Sequence, residues 1–177
     1  MNYNQNDIKT VFSEEQIQQR VNEISVEIEE TYQSKPVLTL LVVMKGAFLF
    51  ASDLIKKLNL NVRIEFIEVS SYGERGTLSG QLSLRKEPDL DFANQHILII
   101  EDIIDTGQTA EFLQKYLEEK HPASIEWCLL LQKHEEPEGV KPKFVGFRAP
   151  DKFLIGYGLD YKERYRNLPF IGYLESL

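Results

Sequence analysis

The chain has 177 residues, 42% of them apolar and 27% charged, with a formal net charge of -8. That length and balance describe one ordinary globular domain with a core of its own. They argue against nucleic acid as the main partner, because a phosphate backbone calls for clustered Lys and Arg. No apolar run reaches membrane-spanning length, and the polar start Met1 to Asp7 is not a signal peptide, so no membrane partner is expected. The single cysteine, Cys128, lies in the apolar run Trp127 to Leu131 and reads as a buried thiol with no internal disulfide, which points to the cytoplasm.

In chain order, Ser13-Glu14-Glu15-Gln16 has the form of a capping box, and Ile17, Val21, Ile24 and Ile28 follow at helical spacing. Its glutamates form a solvated face. Val37 to Met44 is a near-continuous apolar strand, and Ala47 to Leu58 is helical. Val62 to Ser70 alternates as a strand, and Ser71 to Ser79, with two glycines and no core residues, reads as a mobile loop. Gln81 to Arg85 pairs back as a strand that Pro88 ends. His96 to Ile100 is a buried strand, Glu111 to Lys120 a helix, and Ser124 to Leu131 the next strand. From Phe144 to Leu177 the alternation breaks at Pro150, Gly156, Gly158 and Pro169, and this tail reads as a small hood over the sheet edge.

Strands alternating with helices give an α/β fold, a parallel sheet flanked by helices. Ligands of such sheets bind at the carboxyl ends of the strands, where Lys45, Asp102 and Lys133 emerge. The segment from Ile97 to Thr109 is the most informative. An apolar strand runs into Glu101 and Asp102, and Asp105-Thr106-Gly107-Gln108-Thr109 then opens a helix. Gly107 permits an unusual φ, and the backbone N–H groups at the helix start form an anion cup. Carboxylates beside an anion cup suit a sugar phosphate, with hydroxyls for the acids and a phosphate for the cup.

This segment closely resembles the phosphoribosyl pyrophosphate binding motif of the phosphoribosyltransferases. The wider order is Lys45-Gly46, Ser71-Tyr72, the acidic motif, Lys133, then Phe153, Asp160 and Arg166. It resembles the hypoxanthine-guanine branch of that family over roughly Val37 to Tyr173. The resemblance implies a type I phosphoribosyltransferase fold and Mg²⁺-dependent purine salvage, with phosphoribosyl pyrophosphate and a 6-oxopurine base as partners. It also implies a homodimer or homotetramer. Glu101 and Asp102 would accept from the ribose hydroxyls, and residues 105 to 109 would hold the 5-phosphate. Asp105 would be the acid/base partner of purine N7. Lys133 would donate to the 6-oxo group, Phe153 would stack on the base, and Leu154 would meet its edge through the backbone. Lys45, Gly46 and Arg166 would bind pyrophosphate, and Asp160, with Glu101 and Asp102, would serve the metal. Ser71 and Tyr72 would belong to a lid, and the Met44–Lys45 peptide would be cis. Two departures stand out. Gln108 replaces a frequent cation, and the stretch from Lys133 to Val140 is shortened, which leaves Gln132 as the rival to Lys133. A regulator that kept the fold but binds nucleic acid would need a basic face, and the acidic balance disfavours it.

Overall fold

The computed structural model describes residues 8–72, 81–105, 107–133 and 140–175. After β1 (Ile8–Phe12) comes α1 (Glu14–Tyr32). The Ser13 side chain accepts from the Gln16 N–H while the Gln16 side chain accepts from the Ser13 N–H, so the capping box forms as expected. Ile17, Val21, Ile24 and Ile28 are all buried on one face of the helix.

Six strands make the main sheet: β2 (Leu38–Met44), β3 (Val62–Tyr72), β4 (Gln81–Lys86), β5 (His96–Ile104), β6 (Ser124–Gln132) and β7 (Phe144–Arg148). Their order is β4-β3-β2-β5-β6-β7, and every pairing is parallel except β3 with β4. α2 (Phe48–Ile55) and α3 (Gln108–Glu118) supply crossovers. Central strands buried on both faces read as continuous apolar runs, as Leu38 to Met44 does. Alternation then divides the core. Leu40, Val42, Leu98 and Ile100 pack toward α1 and α2, whereas Leu41, Val43, Ile97 and Ile99 pack with Leu113 and Leu117 of α3.

A second sheet, β1-β9-β8, joins β8 (Leu154–Ile155) and β9 (Ile171–Leu174) to the first strand. Three differences from the sequence reading bear on where the site lies. Residues 144–148, expected in the hood, pair with β6 as the edge of the main sheet. Arg20 reaches over from α1 to donate to the Val145 and Gly146 carbonyls at 2.8 and 3.0 Å, satisfying polar groups of that edge. The hood instead recruits Ile8–Phe12, a strand the sequence reading missed. Finally, β5 does not stop at Ile100. It stays paired with β6 through Ile104, so Glu101 and Asp102 are strand residues.

Candidate active site

The carboxyl ends of β2 and β5 frame a cavity of about 300 Å³ lined by Val43, Met44, Gly46, Val69, Leu82, Glu101, Asp102, Ile103 and Thr109. Glu101 is buried, and burial followed by the adjacent Asp102 charge pushes its pKa well above the usual carboxylate range. Asp102 continues the strand row of Leu98 and Ile100 and lies against Gly46. A β-carbon at Gly46 would overlap its carboxylate, so any larger residue there would force the Asp102 side chain to move. Gly107 caps α3 with φ 83°, a left-handed conformation that glycine adopts without steric cost. Asp105 and Gln108 are exposed and Thr109 is half-buried at this helix start, while Thr106 lies outside the described residues.

The Met44–Lys45 peptide is cis, as the resemblance implied. Lys45 extends from this corner, and its ammonium lies 3.2 Å from Glu163 Oε2. The hood touches the same corner from the other side. Gly158, at φ 100°, approaches so closely that any β-carbon would run into the Gly46 carbonyl oxygen. Tyr157 beside it donates to Asp53 Oδ2 at 2.8 Å, and Gln18 donates to the same oxygen at 2.7 Å. Lys56 pairs with the other oxygen of Asp53 at 2.7 Å. A helix α1 amide, a helix α2 carboxylate and a hood phenol thus form one polar clamp.

The segment from Phe153 to Arg166 is held by its own side chains. Phe153 is half-exposed and meets Tyr161 edge-on, with centroids 5.7 Å apart. Leu154 is buried in β8. Arg166 donates to the Gly158 carbonyl at 2.8 Å and pairs with Asp160 Oδ1 at 2.8 Å. Asp160 Oδ2 accepts from the Glu163 N–H at 2.9 Å. Across the sheet, Lys133 follows β6 with its ammonium 3.3 Å from Asp105 Oδ2, while its rival Gln132 is buried within the strand.

Lys45 and Arg166 therefore meet at Glu163, Asp105 meets Lys133, and Asp102 meets Gly46. Ser71 and Tyr72 need a correction: they are the last residues of β3, paired with Leu82 and Gln81, rather than the start of a loop. The rest of the expected lid, residues 73–80, lies outside the described residues. Sequence reasoning missed Asp53, Tyr157 and Glu163. A carboxylate inside the largely apolar Phe48–Ile55 helix was a readable sign for Asp53. Nothing local marks Glu163, whose partner Lys45 is remote in the chain.

An open, mostly parallel sheet with its polar groups gathered at the strand ends defines a ligand-handling α/β enzyme of the doubly covered kind. The chain belongs to the phosphoribosyl transferase domain family, whose model matches residues 7–162. It is 43% identical over 171 residues to the hypoxanthine-guanine phosphoribosyltransferase of Bacillus subtilis, covering 94% of this chain and 93% of that one. It is 40% identical over 168 residues to the hypoxanthine phosphoribosyltransferase of Haemophilus influenzae, covering 93% and 94%. Among solved structures, a hypoxanthine phosphoribosyltransferase from Staphylococcus aureus superimposes with a TM-score of 0.90 at 37% identity, covering 99% of this chain and 98% of that one. The hypoxanthine-guanine phosphoribosyltransferase of Bacillus anthracis gives 0.87 at 38% identity, covering 94% and 98%.

Proposed function

We propose that this chain is a purine-salvage transferase that moves the 5-phosphoribosyl group of phosphoribosyl pyrophosphate to hypoxanthine or guanine and releases pyrophosphate. In the reaction the ribose C1–O bond to pyrophosphate breaks and a C1–N bond to the purine forms, through an oxocarbenium-like transition state. The observation that carries the reading is the convergence of three remote segments on the strand ends: Lys45-Gly46, Glu101 to Thr109, and Phe153 to Arg166. Glu101 and Asp102 accept from the ribose hydroxyls. The N–H groups of residues 105–109, with the Thr106 and Thr109 hydroxyls, hold the 5-phosphate. Asp105 handles the proton at purine N7. Lys133 donates to the 6-oxo group, Phe153 offers its exposed ring to the base, and Leu154 meets the base edge. Lys45, Gly46 and Arg166 receive the pyrophosphate, and Ser71 and Tyr72 lead into a lid.

Magnesium fits this donor set. Mg²⁺ takes one or two protein carboxylates together with phosphate and water oxygens. The adjacent pair Glu101–Asp102, where burial and then like charge raise the Glu101 pKa, and, separately, the Asp160 carboxylate are acids of that kind. When bound, the ion would offset the charge of the pyrophosphate. We place the enzyme in the cytoplasm as a homodimer or homotetramer, the states the resemblance implies; the buried Cys128 thiol is consistent with a reducing compartment. Steady-state assays of hypoxanthine, guanine, xanthine and adenine with phosphoribosyl pyrophosphate and Mg²⁺ test the proposal. Nucleotide should form with the 6-oxopurines, and its absence with all of them would refute the reading.

A further inference from the structure

One carboxylate oxygen, Glu163 Oε2, lies 3.2 Å from the Lys45 ammonium and 3.4 Å from Arg166 Nη2. These are the two cations proposed to receive pyrophosphate, and a role for Glu163 at that site rests on their assignment. We propose that Glu163 is a built-in occupant of the pyrophosphate subsite: its carboxylate stands where a phosphate oxygen would bind and is displaced by the incoming anion.

The mounting of the side chain supports this. Lys162 and Glu163 both have positive φ, 53° and 60°. Tyr161 and Arg164 exchange backbone hydrogen bonds at 3.1 Å around them, the pattern of a type I′ turn. The Glu163 N–H is fixed by Asp160 Oδ2 at 2.9 Å, and the other Asp160 oxygen holds Arg166 at 2.8 Å. The turn thus presents a carboxylate from an anchored base. Arg166 does not need Glu163 to stay in place, because Asp160 and the Gly158 carbonyl already hold its guanidinium. The Glu163 side chain is 68% exposed and that of Lys45 is 49% exposed, so the pair is solvated and cheap to separate. Pyrophosphate carries more charge and more oxygens than one carboxylate, and it can meet both cations at once. The occupant therefore neutralises the two cations between turnovers while weakening retention of pyrophosphate as a product.

The test is isothermal titration of Mg²⁺-pyrophosphate into the full chain, wild type and Glu163→Gln, with pyrophosphate product inhibition measured in parallel. Glu163→Gln should bind pyrophosphate roughly three- to fivefold more tightly, the scale of an exposed ion pair removed from competition. The KM for the purine base should not move. Glu163→Asp retracts the carboxylate by one methylene and should shift affinity in the same direction, which keeps the test open should one variant fold poorly. Unchanged or weaker pyrophosphate binding in the variants would overturn the inference, since a residue that only supports Lys45 and Arg166 would lower affinity when removed. If the wild type makes no nucleotide from phosphoribosyl pyrophosphate, the functional assignment itself fails. If it does and Glu163→Gln is unaltered, only the role of Glu163 falls.

Discussion

Lys133 and Asp105 form an ion pair at 3.3 Å in which the lysine is mostly buried and the aspartate exposed. The cation assigned to the purine 6-oxo group and the acid assigned to its N7 are therefore neighbours before any base arrives. The Hoogsteen edge of a 6-oxopurine presents O6 and N7 side by side, so one base can engage both.

Asp105→Asn should lower kcat by on the order of 10²–10⁴-fold, the usual share of a positioned acid or base. The affinity for phosphoribosyl pyrophosphate should change little, because the 5-phosphate cup is mainly backbone N–H. Pre-steady-state and binding measurements on the same variant separate the two effects, and wild-type kcat would remove Asp105 from proton handling.

Base choice follows from the donors of Lys133. An ammonium has no acceptor, so it suits a 6-oxo group and faces the 6-amino group of adenine badly. Adenine should be used at least on the order of 10³-fold less efficiently than hypoxanthine. Lys133→Gln should narrow that gap by slowing the hypoxanthine reaction, since an amide can turn either end to the base. An unaltered ratio of kcat/KM values would shift the assignment to another residue.

The clamp at Asp53 makes a pH-dependent contribution to stability. Burial alone would raise the Asp53 pKa, but Lys56, Gln18 and Tyr157 outweigh it and hold the group below its ordinary 3.8. A depressed folded pKa gives stability that is present above the unfolded value and lost as pH falls through the folded one. Asp53→Asn should therefore cost about 1–2 kcal/mol at neutral pH, and Tyr157→Phe about 1 kcal/mol. Thermal melts should show the Asp53→Asn deficit shrinking as the pH drops well below 3.8.

Glu101 has the opposite sign. Its pKa is raised from 4.5 by burial and by Asp102, so the folded protein keeps a proton that the unfolded chain releases. Wild-type stability should fall as pH rises from about 4.5 toward the raised value. Glu101→Gln should become progressively more stable than wild type over that window while its KM for phosphoribosyl pyrophosphate rises. A constant difference in melting temperature across the window would contradict the burial argument.

Gly158→Ala combines a left-handed φ with a β-carbon directed at the Gly46 carbonyl. It should destabilise the protein by about 1–3 kcal/mol and raise the KM for phosphoribosyl pyrophosphate by shifting the Lys45 corner. Denaturant melts together with initial rates would check both; a stable variant with normal KM would dissociate the hood from that corner.

Much of the fold and the site was readable in the sequence because local chemistry carried it. The Ser13–Gln16 box, the apolar run Leu38–Met44 and the Glu101–Thr109 motif each declare themselves within a dozen residues. The Ile8–Phe12 strand escaped because its reason for existing is distant: five residues with a single buried side chain become a strand only when β9 pairs with them. Residues 144–148 were misplaced for a related reason, since Pro150, Gly156 and Gly158 follow closely and read as loop punctuation for the whole tail. In the sheet, Gly146 is demanded by the Leu130 carbonyl beside it. The Lys45–Glu163 and Tyr157–Asp53 contacts join segments more than a hundred positions apart, and no periodicity encodes such meetings.

The pairing of Ile8 with Leu174 also orders events in time. During synthesis β1 emerges well before β9, so β1 stays unpaired until the six strands of the main sheet have been made. Closing so large a loop is entropically expensive until the main sheet has drawn the ends together. Contacts between β1 and β9 therefore belong to the late, downhill side of the folding barrier. Weakening them should accelerate unfolding and leave the refolding rate almost untouched.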